Sequence, residues 1–254
     1  MKEGNRTVHA LWIGNKLSKL ELLTISSFIA QGHEFRLWTY SDLVTPLPRG
    51  VVLCDAAKIL PRETVFRSVA NDQETGVGKG SFANFSDLFR YKLLYHEGGY
   101  WTDMDITCLK PLEFSEPYVF RSHRVGVVGN LMKCPPKSRV MRLTFERSRR
   151  QLNSGWHFGN RALSDTVVEL GLDRYIRSDI CNADMWFDGV RQFVENDSPI
   201  PSELYVIHWI NEFWRTLTVS GGYYRGKKVV TDVPDKDNPK PGSTLSKLYE
   251  QYSL

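Results

Sequence analysis

The chain has 254 residues, enough for one sizeable domain with its own core. Its 41% hydrophobic and 24% charged residues exclude a largely disordered, collagenous or disulfide-dense protein. A formal net charge of +4 is too mild to imply nucleic acid as a partner. Cys54, Cys108, Cys134 and Cys181 form no CxxC pair, which removes support for a zinc site or redox motif and leaves reduced thiols as the expectation. The N-terminal MKEGNRTVHALWIG has no apolar run suited to a signal peptide, and no stretch approaches about 18 consecutive apolar residues. A cytoplasmic protein is expected.

In chain order, Val8, Ala10 and Trp12 read as a first strand that ends in the turn Ile13-Gly14-Asn15. Ser18 and Glu21 fit a capping box opening a helix whose Leu20, Leu23, Ser27 and Ala30 keep helical spacing as far as Gly32. Residues 35–40 resume as a strand. This order opens a Rossmann-like half, but without GxGxxG a dinucleotide cofactor is not expected. Pro46, Pro48 and Pro61 punctuate an irregular stretch, and residues 71–81 (NDQETGVGKGS) read as a mobile loop that misses the spacing of a phosphate loop.

Residues 83–97 are helical in pattern, Gly98-Gly99 stops them, and Tyr100-Trp101-Thr102 begins a strand with Asp103-Met104-Asp105 at its far end. Strands are expected over 119–120, 125–128 and 204–209, and helices over 138–152 and 161–170. In the first of these helices Arg139, Arg142, Arg147, Arg149 and Arg150 accompany an apolar side, which reads as a solvated face or as contact with an acidic acceptor or with anionic lipid at the inner face of a membrane. After Gly221-Gly222 the chain becomes charged and proline-rich. Residues 1–231 are expected to be the catalytic domain, and 232–254 a linker with a short amphipathic tail.

Two carboxylates at i, i+2 on an extended segment point the same way, a fair start for a hard cation that also takes substrate phosphate and water. Asp87, Arg90, Tyr91 and Leu94 share one face of the preceding helix, which is crowded with Phe85, Leu88, Phe89 and Leu93. Buried charges need a reason, and ligand hydroxyls supply one.

The segment FSDLFRYKLLYHEGGYWTDMDITCLKPL resembles the signature of the DxD sugar-binding glycosyltransferases of family 32, the group of initiating mannosyltransferases and of bacterial capsule and lipopolysaccharide transferases. It is more distantly similar to the glucosylating domains of large clostridial toxins. The opening HALWIGNKLS and the strand in GHEFRLWTY resemble the start of the same family. The resemblance implies a single α/β domain of the glycosyltransferase-A type, Rossmann-like with a mixed central sheet. It implies that Trp12 stacks on the donor base, although a core aromatic is the alternative reading, and that Ile13 and Gly14 approach the nucleotide by backbone. Asp87 and Arg90, with Tyr91 beside them, would hold ribose or sugar hydroxyls; Asp103 would contact ribose or sugar, and Asp105 would bind the metal.

VGVVGNLMKCPPKSRVM resembles the family segment that brings Gly129 and Asn130 near the reacting carbon. Phe158-Gly159-Asn160 departs from a stretch that usually reads Thr-Gly-Pro, so the acceptor side stays open. VIHWINEFW resembles the family's closing element, with His208 as a third metal ligand or diphosphate contact and Trp209 or Trp214 nearby; a core histidine is the alternative. The implied reaction moves a hexosyl group from UDP- or GDP-hexose to a hydroxyl of a saccharide or glycolipid acceptor, with Mn²⁺ or Mg²⁺ and retention of configuration. A nucleophilic carboxylate would be sought at Asp184 or Asp188; a front-face reaction needs none. The rivals are transfer to a protein side chain and a non-catalytic nucleotide-sugar-binding module. The split of contacts between the first 110 residues and HWINEFW suits a C-terminal lid.

Overall fold

The computed structural model describes residues 3–69, 78–124, 126–152, 158–182 and 185–254. The elements run α1 (Glu3–Arg6), β1 (Thr7–Trp12), α2 (Lys19–Ala30), β2 (Glu34–Thr39), β3 (Val52–Asp55), α3 (Ala83–Glu97), β4 (Gly99–Thr102), β5 (Ile106–Cys108), β6 (Val119–His123), β7 (Gly126–Cys134), α4 (Arg139–Arg150), α5 (Phe158–Glu169), β8 (Ile176–Arg177), α6 (Trp186–Gly189), α7 (Arg191–Glu195), β9 (Val206–His208), α8 (Asn211–Ser220), β10 (Tyr223–Tyr224), β11 (Lys227–Lys228) and α9 (Thr244–Gln251). Seven strands form one sheet in the order β3-β2-β1-β4-β7-β6-β8. β1 runs parallel to β2 and β4, whereas β7 runs antiparallel to both β4 and β6. The fold is therefore the α/β architecture with a mixed central sheet expected of a glycosyltransferase-A type chain.

Alternation along the strands divides the core between the two faces of the sheet. Val8, Ala10, Phe35, Leu37, Tyr100 and Leu131 pack with Ile25 and Phe28 of α2. Leu11, Trp38, Trp101 and Met132 face the opposite way, against Phe85, Phe89 and Leu93 of α3, Val140 and Met141 of α4 and Leu163 of α5. Ser18 and Glu21 form the expected capping box of α2. Gly98 and Gly99 both have positive φ, and a Cβ at Gly99 would lie 2.9 Å from the Thr7 carbonyl. The glycine pair thus lets β4 enter the sheet flush against β1.

A third cluster joins Leu20 and Leu23 of α2 to Trp209, Trp214 and Leu217, and on to Val230, Leu245, Leu248 and Tyr249 near the C-terminus. The stretch read as linker is docked by specific bonds: the Lys19 amide donates to Asp237 Oδ1, Trp214 Nε1 to the Pro234 carbonyl, and Tyr249 Oη to the Lys236 carbonyl. The amphipathic tail forms α9 and buries its apolar side. Residues 71–77 of the expected mobile loop lie outside the described residues. Among the described residues no helix is long and apolar enough to cross a membrane. All four cysteines are free.

Candidate active site

β1 and β4 are parallel neighbours, so the turn after Trp12 and the aspartates after Thr102 emerge at the same sheet edge, where α/β folds place ligands. The Asp103 amide donates to the Asn130 carbonyl of β7 at 2.8 Å. Past Asp105 the chain leaves the main sheet as β5, which pairs with β9 so that Ile106 stands opposite His208. That two-stranded ladder brings the C-terminal histidine to the DxD.

Arg90 lies between two carboxylates: its Nη2 is 3.2 Å from Asp87 Oδ1 and 3.0 Å from Asp103 Oδ1. Trp101 stacks under the guanidinium at 5.0 Å, and its Nε1 donates to Asp103 Oδ1 at 2.9 Å. Two carboxyl groups, Asp87 buried and Asp103 half-buried, thus share one cation. Burial pushes Asp87 up to about 6, against the pull of Arg90 and with some help from Asp103. Asp103 is also raised, by burial first, with Arg90 opposing and Asp105 adding to the rise. The nearby glycines are spacers. A Cβ at Gly159 would lie 2.6 Å from Asp87 Oδ2, and one at Gly129 would lie 3.0 Å from Arg90 Nη1.

Asp105 has a different setting. Its Oδ2 accepts the Asn211 amide of α8 at 2.8 Å and stands 3.4 Å from His208 Nε2. Burial alone would raise its pKa, but His208 and the Asn211 N–H outweigh burial and hold the carboxyl below its usual value. Its surroundings therefore favour the ionised carboxyl, the opposite of the push that burial gives Asp103. The side chain of Asn182 grips the backbone of His208, accepting its N–H at 2.6 Å and donating to its carbonyl at 3.0 Å. The other ring nitrogen, Nδ1, is 3.1 Å from Asn130 Nδ2.

These groups line a cavity of about 490 Å³ together with Trp12, Ile13, Phe82, Trp186 and Phe213. Asp87, Arg90, Asp103, Asp105, Asn130 and His208 are all brought to it, as are Trp12 and Ile13. Trp12 is half-buried at the rim, and its Nε1 donates to the Lys16 carbonyl.

Five expected contacts fall elsewhere. Trp209 and Trp214 are fully buried in the third cluster, donating to Thr107 Oγ1 and the Pro234 carbonyl. Alternation explains Trp209, because a strand that aims His208 at Asp105 aims its neighbour the opposite way. Trp214 belongs to the buried side of α8, with Phe213 and Leu217. Tyr91 points beneath Gly129, its hydroxyl buried without a partner, and Gly129 itself backs onto Arg90 instead of the cavity. Gly14 lies just past the lining residues, its carbonyl accepting Ser41 Oγ. Asp188 is exposed outside the cavity, and Asp184 lies outside the described residues.

The sequence reading missed Asn182, Asn211 and Trp186. Asn182 and Asn211 act by main-chain hydrogen bonds that leave no spacing signature, while the aromatic content of NADMWFDG was the available signal for Trp186.

Among the described residues no three acidic, histidine or cysteine side chains converge as a metal cage. Asp103 is turned away to Arg90, which leaves Asp105 and His208. Their 3.4 Å separation is close to the spacing of about 3 Å between adjacent ligands of an octahedral ion held at about 2.1 Å. Mg²⁺ and its relatives commonly take one or two protein ligands and complete the shell with phosphate and water, so the pair fits such an ion.

Residues 48–123 match the family described as "Glycosyltransferase sugar-binding region containing DXD motif". The match spans under a third of the chain and includes Asp87, Arg90, Asp103 and Asp105. Among solved structures the chain is similar to one titled PaToxG Glycosyltransferase, at 13% identity and a TM-score of 0.47, over 66% of this chain and 69% of that one. It is also similar to a structure of a transferase mutant, at 8% identity and a TM-score of 0.45, over 68% of this chain and 91% of that one. No curated protein matches in sequence. The DxD segment of this chain thus resembles that of the sugar-binding glycosyltransferases.

Proposed function

We propose that the chain is a metal-dependent, retaining glycosyltransferase that moves a hexosyl group from UDP- or GDP-hexose to a hydroxyl of a saccharide or glycolipid acceptor, as in surface polysaccharide synthesis. The observation that carries the reading is the Asp105 and His208 pair, 3.4 Å apart at the cavity wall beside a buried Asp87-Arg90-Asp103 network. Trp12 and Ile13 at the end of β1 would take the base. Asp87 and Asp103, oriented by Arg90, would accept hydrogen bonds from ribose and sugar hydroxyls. Asp105 and His208 would hold Mn²⁺ or Mg²⁺, which neutralises the charge on the departing diphosphate.

No described carboxylate other than those of the Asp87-Arg90-Asp103 network, Asp105, Glu21 and Glu212 lines the cavity. Glu21 is taken by Ser18 and Lys236, and Glu212 by Arg215. A front-face reaction, in which the leaving phosphate receives the acceptor proton, is therefore the reading that asks least of the protein. Trp186 and Phe213 would form an apolar wall against the acceptor, and closing the cavity would exclude water that otherwise hydrolyses an activated sugar. Incubation with a panel of nucleotide sugars and Mn²⁺, with products followed by mass spectrometry, tests the reading. Absence of both transfer and donor hydrolysis across UDP- and GDP-hexoses would overturn it.

A further inference from the structure

α8 begins at the cavity wall with Asn211 and ends at Ser220, after which the chain turns through Gly221 and Gly222, both at positive φ, into the hairpin of β10 and β11. The two-residue loop of that hairpin, Arg225-Gly226, has φ 50° and 74°, as a type I′ turn requires. Its base is closed, because the amides of Val229 and Val230 both donate to the Gly222 carbonyl and a Cβ at Gly222 would collide with the Val230 carbonyl. Alternation along β10 then separates the two tyrosines. Tyr224 packs inward, 5.0 Å from the Phe213 ring that lines the cavity, while Tyr223 stays 50% exposed beneath the Lys228 ammonium.

The outward side of this element combines cations with apolar surface. Val219, in the last turn of α8, is 79% exposed. From Leu217 to Thr231 the sequence supplies Arg225, Lys227 and Lys228, all exposed, and no carboxylate. The segment that adjoins α8 at the cavity continues the pattern: Arg67 and Lys79 are exposed, as is Val69, and Arg215 Nη2 reaches the Lys79 carbonyl at 3.5 Å. Other candidate surfaces lack the combination. On α4, Arg142 and Arg147 are answered by Glu146 and Glu169. The exposed Val44, Val52 and Leu53 lie toward the β3 edge of the sheet, where Leu53 lines a shallow hollow with Asp42 and Asp55.

We propose that the β10–β11 hairpin, together with Val219, is a docking surface for an anionic lipid bilayer, extended by Arg67, Val69 and Lys79. The cations meet headgroup phosphates, and Val219 and Tyr223 enter the interface between headgroups and acyl chains. Charge alone would suit any polyanion. The exposed aliphatic side chain beside a tyrosine selects the bilayer, because a polyanion in water offers Val219 no apolar burial. Phe213 and Arg215 line the cavity from the same helix, so a docked chain keeps its cavity near the headgroups. There a glycolipid hydroxyl would be met, a role that rests on the glycosyl-transfer reading, whereas docking itself does not.

The test is flotation of the full chain with vesicles of phosphatidylcholine alone and of phosphatidylcholine mixed with phosphatidylglycerol in equal parts, at low and high salt. The chain should float with the mixed vesicles, stay behind with the neutral ones, and detach as salt screens the headgroups. Lys227→Glu and Val219→Asp should each lower partition onto the mixed vesicles by about fivefold or more. Both side chains are exposed, and thermal melts of the variants check that the fold is kept. Val44→Asp is the control and should float like wild type. Equal recovery on neutral and anionic vesicles, or partition that neither variant lowers, would overturn the inference. Capture by immobilised heparin without flotation would assign the cations to a soluble polyanion and overturn it as well. Binding is read without turnover, so failure here leaves the glycosyl-transfer reading standing, and failure of the donor screen leaves the docking result standing.

Discussion

Asn211 donates its backbone N–H to Asp105 Oδ2 at 2.8 Å across a sequence separation of 106 residues. The first turn of α8 therefore holds the second DxD carboxylate from behind, while His208 meets the same oxygen from the side. Only proline at position 211 would remove this main-chain donor, which makes the carboxylate itself the simpler target. Asp105→Asn keeps an amide oxygen for Asn211, so unfolding free energy should stay within about 1 kcal/mol of wild type. Cation-dependent nucleotide affinity and transfer should both be lost. Calorimetry with nucleoside diphosphate, with and without Mn²⁺, checks this, and an unchanged response to Mn²⁺ would remove Asp105 from the metal site.

Asp87, pushed up to about 6 in the folded chain from 3.8, binds its proton in a range where the unfolded chain has released it. The stability it contributes is fully present below pH 3.8 and is lost as pH rises through about 6. Asp87→Asn should flatten that part of the stability profile, as read by denaturant titrations at about pH 5 and about pH 7. If the ionised carboxylate holds ribose hydroxyls, wild-type nucleotide affinity should rise over the same window and that of the variant should not. Parallel profiles for the two proteins would show that Asp87 does not titrate there.

Gly159 leaves room for Asp87, since its Cβ would come within 2.7 Å of the Asp87 Cβ as well as 2.6 Å of Oδ2. Gly159→Ala should cost about 1–3 kcal/mol in stability and displace Asp87, weakening nucleotide binding. Gly4→Ala, where a Cβ meets nothing within 4 Å, is the control. Equal behaviour of the two variants in thermal melts would mean that α5 shifts freely away from α3.

Trp12→Ala should lower nucleotide affinity by about 1–3 kcal/mol if the indole stacks on the base. The half-buried ring at the end of β1 also packs beside the second core cluster. Loss of folding with no separable effect on affinity would assign it to the core.

A lid made of everything after Ser220 would have to break the third cluster, because Val230, Leu245, Leu248 and Tyr249 pack with Trp209 and Trp214. Truncation after Ser220 should therefore destabilise the whole chain by more than about 4 kcal/mol, the sum of several large-to-small core losses. Hydrogen exchange with nucleotide and Mn²⁺ should protect residues 205–214 along with 101–106. Protection of the second segment alone would make the C-terminal element scaffold.

β1, α2, β2, α3 and β4 were legible because local chemistry sets them, whereas α1 and β3 were not, β3 lying in the proline-punctuated stretch read as irregular. The capping box at Ser18, the Gly98-Gly99 stop and the helical spacing of Phe85, Leu88 and Phe89 are all short-range signals. Asp87, Arg90, Asp103, Asp105 and His208, singled out in the sequence by side-chain type and spacing, line one cavity. The site was illegible at Trp209 and Trp214, because an aromatic near a ligand and an aromatic in a core have the same composition, and only the ladder between β5 and β9 fixes which way each points. The docked tail escaped notice for a related reason. Its prolines and charges look like a linker until Lys236 meets Glu21 and Asp237 meets the start of α2, contacts spanning 215 and 218 residues.

Ile210, between His208 and α8, has φ 54° and ψ 51°, a left-handed conformation that a β-branched residue resists. Glycine there would be relieved of roughly 1–2 kcal/mol of backbone strain. The Ile210 side chain packs against the third cluster, so the same exchange would give up that burial and add freedom to the unfolded chain. The turn that aims the Asn211 amide at Asp105 is thus held in a strained angle by the grip of its own side chain.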